Sequence, residues 1–265
     1  MFRKTMKKIF LLVSGKRRFQ RFFERLYRLS LMGMNIGGAF DLSGNGERFV
    51  LQYISGRLQS ADDLVVFDVG ANIGRYSLLA KNVLGGKAVI HAFEPSRQTF
   101  EMLSSGVEEC EAVVLHNFGF GKEEKKAALF SNETGSGMAS IYERRLEHFD
   151  MKMNLKEEVE IKTIDGFCKS NRIKRIHFLK IDAEGHELKI LDGASDMLNS
   201  GAIDFIQFEF GGCNIDSRTF FQNFYYLLKN RYRIFRILRD GLFPIDEYKE
   251  IYEAFITTNY LAERR

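Results

Sequence analysis

A glycine turn directly after a short apolar strand is the feature that most constrains this fold. The run Leu64 to Phe67 is apolar, and the sequence DVGANIGRYSLLA follows it from Asp68 to Ala80. This pattern predicts a buried strand, a turn and a helix. Because Gly70 and Gly74 lack side chains, the backbone there can turn sharply and approach a ligand at the start of the helix.

The residues around the turn distinguish between cofactor types. A dinucleotide fingerprint, G-x-G-x-x-G, would need glycine in place of Asn72 and Arg75. The carboxylate of Asp68 would repel a pyrophosphate and attract an ammonium or sulfonium group. The spacing Asp-x-Gly-x-x-x-Gly is instead typical of sites for S-adenosylmethionine. We therefore expect this cofactor to contact five turn residues, Asp68, Gly70, Ala71, Asn72 and Gly74.

A second apolar strand, KAVIHAFEPS, ends in an acidic residue, Glu94. In a doubly wound sheet, an acidic residue at the end of the second strand accepts hydrogen bonds from ribose hydroxyls. Pro95 fixes the backbone after it and ends the strand. We expect Glu94 and Pro95 to bind the cofactor. The alternative is that Glu94 is only a polar strand terminus.

A third motif, IHFLKIDAEGHELKILDGASDML, predicts a buried strand, a polar loop and an amphipathic helix that extends to Leu198. The motifs DVGANIG, AFEP and LKIDAEGHE, in this order, resemble the FkbM family of S-adenosylmethionine-dependent methyltransferases. The resemblance continues through VEIKTIDGF and IDFIQFEF and spans Val65 to Glu209. It implies an α/β, Rossmann-like class I methyltransferase fold, with a seven-stranded, mostly parallel sheet and helices on both faces. It also implies methylation of a hydroxyl, on an acceptor that varies among glycans, lipid-linked sugars and polyketide-like products.

The order of elements agrees with that fold. Strands at 64–68, 88–93 and 112–116 alternate with helices at 75–83 and 97–105, which favours a parallel sheet. An insertion follows, with two β-like runs, AALFS and EVEIKT, around a polar loop that could line the acceptor pocket. Further strands are expected at 176–181, 203–209 and, as an antiparallel pair, in RYRIFRIL and EAFITTNYL. We divide the chain into a basic N-terminal helical extension with a glycine-rich lid, 1–60, and a methyltransferase domain, 61–265.

Methylation of a hydroxyl would benefit from a positioned base, which can raise the rate by about 10²–10⁴. Ligands of open α/β sheets bind at the carboxyl ends of the strands. We favour Asp182 or Glu184 as the base, followed by His186 and Glu209. Asp182 could instead hold the amine of the cofactor.

The sequence indicates the roles of the other residues near the expected site less strongly. Asn117 and Phe118 follow the third strand and are placed to border the adenine, although Phe118 could equally belong to the core. Glu187 is expected on a solvated helical face. The polar loop could also hold a metal ion, but one short loop seldom delivers three side chains to one ion, so we expect no metal.

Two rival functions use the same sheet. A nicotinamide oxidoreductase would share Glu94 but would need the missing glycines. A catalytically inactive binding module would act through the N-terminal residues; the intact cofactor motif argues against it.

Residues 1–31, which we call the arm, contain ten lysines and arginines and one glutamate, a net charge of +9. Since the whole chain carries +4, the remainder carries −5. Five apolar residues recur at helical spacing among the arginines, which predicts an amphipathic helix: Phe19, Phe22, Phe23, Leu26 and Leu29. This helix could pack on the catalytic domain, or it could dock on an anionic membrane surface or a lipid-linked substrate. Nucleic acid is not expected as a partner, because no known binding module is recognisable.

The expected compartment is the cytoplasm, at the inner face of the membrane if the arm docks there. The apolar run Ile9 to Val13 is too short to span a bilayer and lacks a cleavage site. Three cysteines without metal-type spacing indicate reduced thiols.

Overall fold

The computed structural model describes residues 10–37, 46–59 and 63–265. The first nine residues of the arm, residues 38–45 of the expected lid and residues 60–62 lie outside the described part. The strands are β1 Leu64–Val69, β2 Ala88–Phe93, β3 Val113–His116, β4 Gly119–Phe120, β5 Lys125–Ser131, β6 Leu155–Lys162, β7 Ile176–Ile181, β8 Ile203–Phe210, β9 Tyr232–Ile237, β10 Leu242–Pro244 and β11 Thr258–Arg264. The helices are α1 Gln20–Gly33, α2 Glu47–Arg57, α3 Arg75–Leu84, α4 Arg97–Gly106, α5 Ile164–Ser170, α6 Glu187–Asp192, α7 Ser195–Asn199, α8 Cys213–Ser217 and α9 Phe221–Leu228.

The central sheet has eight strands in the order β10-β9-β11-β8-β7-β1-β2-β3. Strands β3, β2, β1, β7 and β8 are parallel, and β11 is antiparallel to both β8 and β9. The carboxyl ends of the parallel strands therefore share one edge, which we call the carboxyl edge. Because β9 runs in the same direction as β8, its last residue, Ile237, also lies at this edge. So does Thr258, the first residue of β11, which pairs with Phe210.

This sheet, flanked by helices, confirms the expected α/β, Rossmann-like class I methyltransferase fold, including the closing antiparallel pair. The expected count of seven strands was wrong. The additional strand, β10, is a three-residue edge strand that pairs with β9 and ends at Pro244. A segment this short has no measurable alternation of apolar and polar residues, so nothing in the sequence indicated it.

The helix expected to extend to Leu198 is interrupted. Its two parts are α6 and α7, and they are separated at Gly193. A Cβ atom at Gly193 would lie 2.0 Å from the carbonyl oxygen of Gly121, so the chain is pressed against the insertion at this point. The carboxylate of Asp165 then accepts hydrogen bonds from the backbone N–H groups of Asp196 and Met197, which caps the start of α7.

Apolar layers cover both faces of the sheet. Along β1, Phe67 and Val69 pack on one face, whereas Leu64 and Val66 pack on the other. Helix α2 belongs to the second layer through Val50, Leu51 and Ile54, which are all fully buried. Part of the sequence before β1 is therefore integral to the core.

The insertion forms a second, smaller sheet. Strands β5 and β6 pair in antiparallel fashion, as the two β-like runs indicated, and β4 adds to β6 in parallel. The long connection between β5 and β6 contains residues 132–144, which we call the covering loop. None of the helices in the described ranges has the length and apolar content needed to cross a bilayer.

Candidate active site

A cleft at the carboxyl edge encloses about 730 Å³, part of it open to solvent. This size is in the range of pockets for small ligands and cofactors. Its walls come from the turn after β1, the end of β2, the small sheet, the covering loop and the loop after β7. Seven of the predicted site residues line it: Gly70, Asn72, Glu94, Pro95, Asp182, Glu184 and His186.

Gly70 lies where the ends of β1 and β7 approach each other. Its φ is +78°, and a Cβ atom there would lie 1.8 Å from the carbonyl oxygen of Asp182. Asp182 in turn donates its backbone N–H to the carbonyl of Val69. Glycine is therefore required for this close approach of two backbones, which brings Gly70 and Asp182 into one wall of the cleft.

Gly74 and Ala71 lie behind the cleft rather than in its wall. Gly74 has a φ of +84°, and a Cβ atom would lie 2.8 Å from the side chains of Leu103 and Val107 on and after α4. Ala71 is buried against the same two side chains. The glycine spacing of the motif thus allows α4 to pack against the turn.

Glu94 lies at the wall of the cleft and holds the turn in place. One carboxylate oxygen accepts the backbone N–H of Asn72 and the other accepts that of Ser96, each at 3.0 Å. Burial raises the pKa of Glu94 to about 7, although the two N–H groups favour the charged form. Each carboxylate oxygen has a second lone-pair site, which leaves room for ribose hydroxyls.

Asn117 and Phe118 do not line the cleft. The side-chain amide of Asn117 donates to the backbone carbonyls of Glu94 and Pro95, so it braces the end of β2. Phe118 is 7% exposed and packs in the core. The wall at this position is formed instead by the next two residues, Gly119 and Phe120.

Asp68 is fully buried and belongs to a line of charges beneath the cleft. Lys180 pairs with Asp68 across the parallel strands, and its Nζ lies 3.3 Å from Asp68 Oδ1 and 3.4 Å from Asp182 Oδ2. Ser77 donates to the other oxygen of Asp68 at 2.6 Å. Burial by itself would lower the pKa of Lys180, but the two carboxylates outweigh it and raise that pKa, so the ammonium stays charged. Asp68 thereby positions Lys180, which in turn contacts Asp182 at the cleft.

The loop after β7 adopts an unusual backbone. Glu184 has a φ of +47° and Gly185 a φ of +101°. Glu187 stabilises this turn, because its carboxylate accepts the N–H groups of Ala183 and Gly185. The expectation that Glu187 lies on a solvated face was wrong: it is 0% exposed, and burial raises its pKa to about 7. The loop needs this internal acceptor, and no helical periodicity could reveal that need.

Two carboxylates and a thiol meet beside the cleft. Single oxygen or sulfur atoms of Glu184, Glu209 and Cys213 lie within 4.8 Å of one another. Burial, followed by the nearby charge of Asp182, raises the pKa of Glu184 to about 8 and that of Glu209 well above its usual value. The guanidinium of Arg144 contacts Glu184 and favours its charged form. Both carboxyl groups therefore retain their protons to a higher pH than an ordinary glutamate.

This geometry differs from the metal triad considered from the sequence. The loop side chains considered from the sequence were Asp182, Glu184 and His186. The side chains that the structure brings together are instead Glu184, Glu209 and Cys213. Burial and the surrounding carboxylates strongly raise the pKa of the Cys213 thiol. The thiol of Cys213 therefore keeps its proton at neutral pH.

His186 lines the cleft as a neutral imidazole. Burial, with smaller effects from Lys125 and Lys189, lowers its pKa to about 4. Its Nδ1 lies 3.1 Å from the hydroxyl of Tyr142, and its Nε2 is buried near Gly121. His186 is thus held by the covering loop.

The covering loop closes the cleft from above. The amide of Asn72 donates to the carbonyls of Gly135 and Ser136, at 3.3 and 3.0 Å, on the cofactor side. On the other side, Ser140 Oγ donates to the carbonyl of Glu184 at 2.7 Å, and Arg144 pairs with the same residue's carboxylate. The loop therefore bridges both halves of the site, as expected for a segment that lines an acceptor pocket.

Three important side chains were not predicted. Lys180 had a usable signal, because it is the one charged residue in the apolar strand HFLKI. Tyr142 and Arg144 had none, since they lie in an irregular loop and reach their partners only through the folded chain.

The cleft fits an adenosine cofactor. Glu94 supplies acceptors for ribose hydroxyls, Phe120 and Ile161 supply apolar wall, and the half-exposed carboxylate of Asp182 can attract an amine. When bound there, S-adenosylmethionine would supply an electrophilic methyl group.

Comparisons with known proteins agree. Residues 68–234 match the family described as "Methyltransferase FkbM domain". "Methyltransferase 1" of Beauveria bassiana is 27% identical over 150 residues, which cover 51% of this chain and 60% of that protein. "Hexuronic acid methyltransferase AglP" of Haloferax volcanii is 27% identical over 145 residues, which cover 54% of each. The chain thus spans just over half of the length of these relatives.

Among solved structures, the chain is similar to an O-methyltransferase from Bacillus cereus in complex with SAH. The TM-score is 0.45 and the identity 10%, over 98% of this chain and 96% of that one. A precorrin-6y C5,15-methyltransferase from Geobacter metallireducens gives a TM-score of 0.41 at 13% identity, over 82% and 88%.

The matched family region covers more than half of the 265 residues and contains the glycine turn, Glu94, the covering loop and the loop after β7. This confirms the resemblance seen in the motifs and, with it, the expected cofactor, S-adenosylmethionine. The chain belongs to the FkbM methyltransferase family.

Proposed function

We propose that this protein transfers the methyl group of S-adenosylmethionine to a hydroxyl of a sugar-type acceptor. The observation that carries the proposal is the position of the carboxylates. Asp182 and Glu184 line the same cleft as Glu94, at the carboxyl ends of β7 and β2, the two strands that flank β1. A hydroxyl is a weak nucleophile, so a base beside the methyl donor accelerates its reaction.

Glu184 is the base that we favour. Its raised pKa, about 8, makes it a stronger base than an ordinary carboxylate. Arg144 binds one of its carboxylate oxygens, and this contact fixes the side chain. Asp182, paired with Lys180, then serves the amine of the cofactor. The protein's main contribution is to orient the acceptor oxygen and exclude water, which can supply about 7–11 kcal/mol.

The charge of the cleft limits the acceptor. Its described lining contains Glu94, Asp182 and Glu184 and no lysine or arginine. In the deprotonated form in which it acts as the base, Glu184 would repel an anionic group next to the reacting hydroxyl. We therefore propose that the part of the acceptor inside the cleft is uncharged. The name of the Haloferax volcanii relative, a hexuronic acid methyltransferase, supports a sugar as acceptor. A hexuronic acid is a charged sugar, so the test compares it with neutral sugars.

The test uses cofactor with a labelled methyl group and fractionated cell extract. We expect label in a sugar product that survives mild alkali, because a methyl ether is stable where a methyl ester is cleaved. Neutral glycosides should be better acceptors than hexuronic acid glycosides. Label in an ester or an amine would contradict O-methylation of a hydroxyl. Cofactor binding without any labelled product would favour the inactive binding module.

A further inference from the structure

Helix α1 of the arm is attached to the rest of the protein at its carboxyl end. Leu31 is the only buried residue of this helix. Just after it, the side-chain amide of Asn35 donates to the carbonyl of Ile237 at 3.0 Å, and Gly37 donates its N–H to the carbonyl of Thr257 at 2.8 Å. These contacts lie at the carboxyl edge of the sheet, the edge that also holds the cleft.

The apolar face of α1 points away from this attachment. Phe22, Leu26 and Leu29 are 59%, 47% and 64% exposed. Leu31 follows Phe22 by about two and a half helical turns, so the two side chains leave opposite sides of the helix. Phe22, Leu26 and Leu29 therefore do not pack on the catalytic domain, whereas Phe23 is half-buried and its ring contacts those of Phe10 and Phe22.

More apolar surface precedes the helix. Phe10, Leu11 and Leu12 are 55%, 60% and 63% exposed, and the ring of Phe10 contacts that of Phe23. Monomeric proteins rarely expose several large apolar side chains side by side, and such a patch marks an interaction surface.

Basic side chains border this patch. Arg21, Arg25 and Arg28 form a stripe along α1, next to the apolar face, since their spacing of four and three residues returns to one side of the helix. Residues 10–33 contain six basic side chains and one acidic side chain. An apolar face flanked by a basic stripe is the pattern of a helix that lies in the surface of an anionic membrane.

The same pattern disfavours other partners. A second copy of the chain would bring two stripes of like charge together. Nucleic acid would bind the arginines, but it would leave the aliphatic side chains exposed to water. An anionic bilayer satisfies both the charged and the apolar groups.

We propose that residues 10–33 form a docking surface for an anionic lipid bilayer, with α1 lying parallel to the membrane plane. The apolar side chains enter the region between headgroups and acyl chains, and the arginines contact the anionic headgroups. This binding does not depend on the identity of the methyl acceptor.

The test is co-sedimentation of the full chain with two kinds of vesicle, phosphatidylcholine alone and phosphatidylcholine mixed with phosphatidylglycerol. We expect binding only to the mixed vesicles, and weaker binding at high salt. The double variant Arg21→Gln/Arg25→Gln should bind at least about tenfold more weakly, since each basic side chain near such a surface contributes about 1 kcal/mol. The variant Leu26→Ser/Leu29→Ser should also lose binding, at unchanged melting temperature, because both side chains are exposed.

The matched control is Lys169→Gln/Lys174→Gln. These two lysines are exposed and lie near the start of β7, at the opposite edge of the sheet. The control should bind mixed vesicles like the unaltered chain. Equal losses in the control and the arginine variant would overturn the proposal, as would binding that ignores lipid charge. Self-association through the arm, without vesicle binding, would assign this surface to a second copy instead.

Discussion

Glu94 illustrates how single residues at this site serve the fold and the ligand together. Its carboxylate accepts two backbone N–H groups and still lines the cleft. Truncating this side chain would remove the acceptors that we expect for the ribose hydroxyls. The structure adds a cost to the fold, because truncation would leave two N–H groups without their acceptor.

We predict that Glu94→Ala weakens S-adenosylmethionine binding by about 1–3 kcal/mol, since hydroxyls in a closed site lose their partner. The variant should also melt at a lower temperature, for the reason just given. Calorimetric titration and a thermal melt measure the two effects separately. Unchanged affinity in a folded variant would show that Glu94 does not hold the ribose.

Measurements of turnover and cofactor affinity should distinguish the roles of the two loop carboxylates, Asp182 and Glu184. Glu184→Gln keeps the shape and loses the base, so turnover should fall by about 10² or more while cofactor affinity stays within a few fold. Asp182→Asn should weaken cofactor binding first if Asp182 holds the amine. If both variants retain normal turnover on the true acceptor, no base acts from this loop.

The favoured base also predicts a pH profile. A base must be deprotonated to act, and the pKa of Glu184 is raised to about 8. The turnover number should therefore fall as the pH drops below about 8, and Glu184→Gln should remove this dependence from its residual activity. A flat profile for the unaltered enzyme between pH 6 and 9 would exclude Glu184.

At the scale of helices and strands, two glycines that the sequence does not distinguish differ in whether the packing requires them. Gly70 is required by a backbone contact with the loop after β7, whereas Gly56 lies exposed in α2 with open space around its Cβ position. Their difference depends on which elements pack together, and the sequence around each glycine does not contain that information.

We predict that Gly70→Ala lowers the free energy of unfolding by about 3 kcal/mol or more, through strain at positive φ and collision with Asp182. Gly56→Ala, the matched control, should raise it by about 0.5–1 kcal/mol, because alanine favours the helix. Denaturant unfolding compares the two. Equal stability of Gly70→Ala and the unaltered protein would mean that β1 and β7 do not approach as described.

Most elements could be predicted, because their apolar runs are long and bounded by glycine or proline. The five parallel strands and the helices α3 and α4 fall within two residues of the expected ranges. The side-chain contacts around the cleft could not be predicted in the same way. Arg144 reaches Glu184 from an irregular loop, and Glu187 turns inward to accept two N–H groups. Such contacts depend on tertiary distances, which periodicity does not encode.

The whole molecule carries several buried carboxyl groups with raised pKa values. Those of Glu94 and Glu187 are about 7 and that of Glu184 is about 8, against 4.5 for an unperturbed glutamate. The folded state therefore retains protons that the unfolded chain has released. Its stability falls as the pH rises from about 4.5 towards 8. His116 and His186, with pKa values lowered to about 4, act in the opposite sense below pH 6.5.

We predict that the free energy of unfolding declines between pH 6.5 and 8.5, where these carboxyl groups lose their protons in the folded state, by on the order of 1 kcal/mol for each group. Glu187→Gln, which keeps an oxygen for the two N–H groups, should make the decline shallower. Urea unfolding at several pH values measures it. A stability that rises over this interval would contradict the raised pKa values.

The attachment of the arm at the carboxyl edge, the edge of the sheet that also holds the cleft, has a kinetic consequence. With α1 on a bilayer, an acceptor anchored in that bilayer reaches the enzyme by lateral diffusion rather than from bulk solution. The quantity that then governs saturation is the number of acceptor molecules per unit area of membrane. Diluting the acceptor with inert lipid would slow the reaction even when its amount per volume is constant, whereas a water-soluble acceptor would show no such surface dilution.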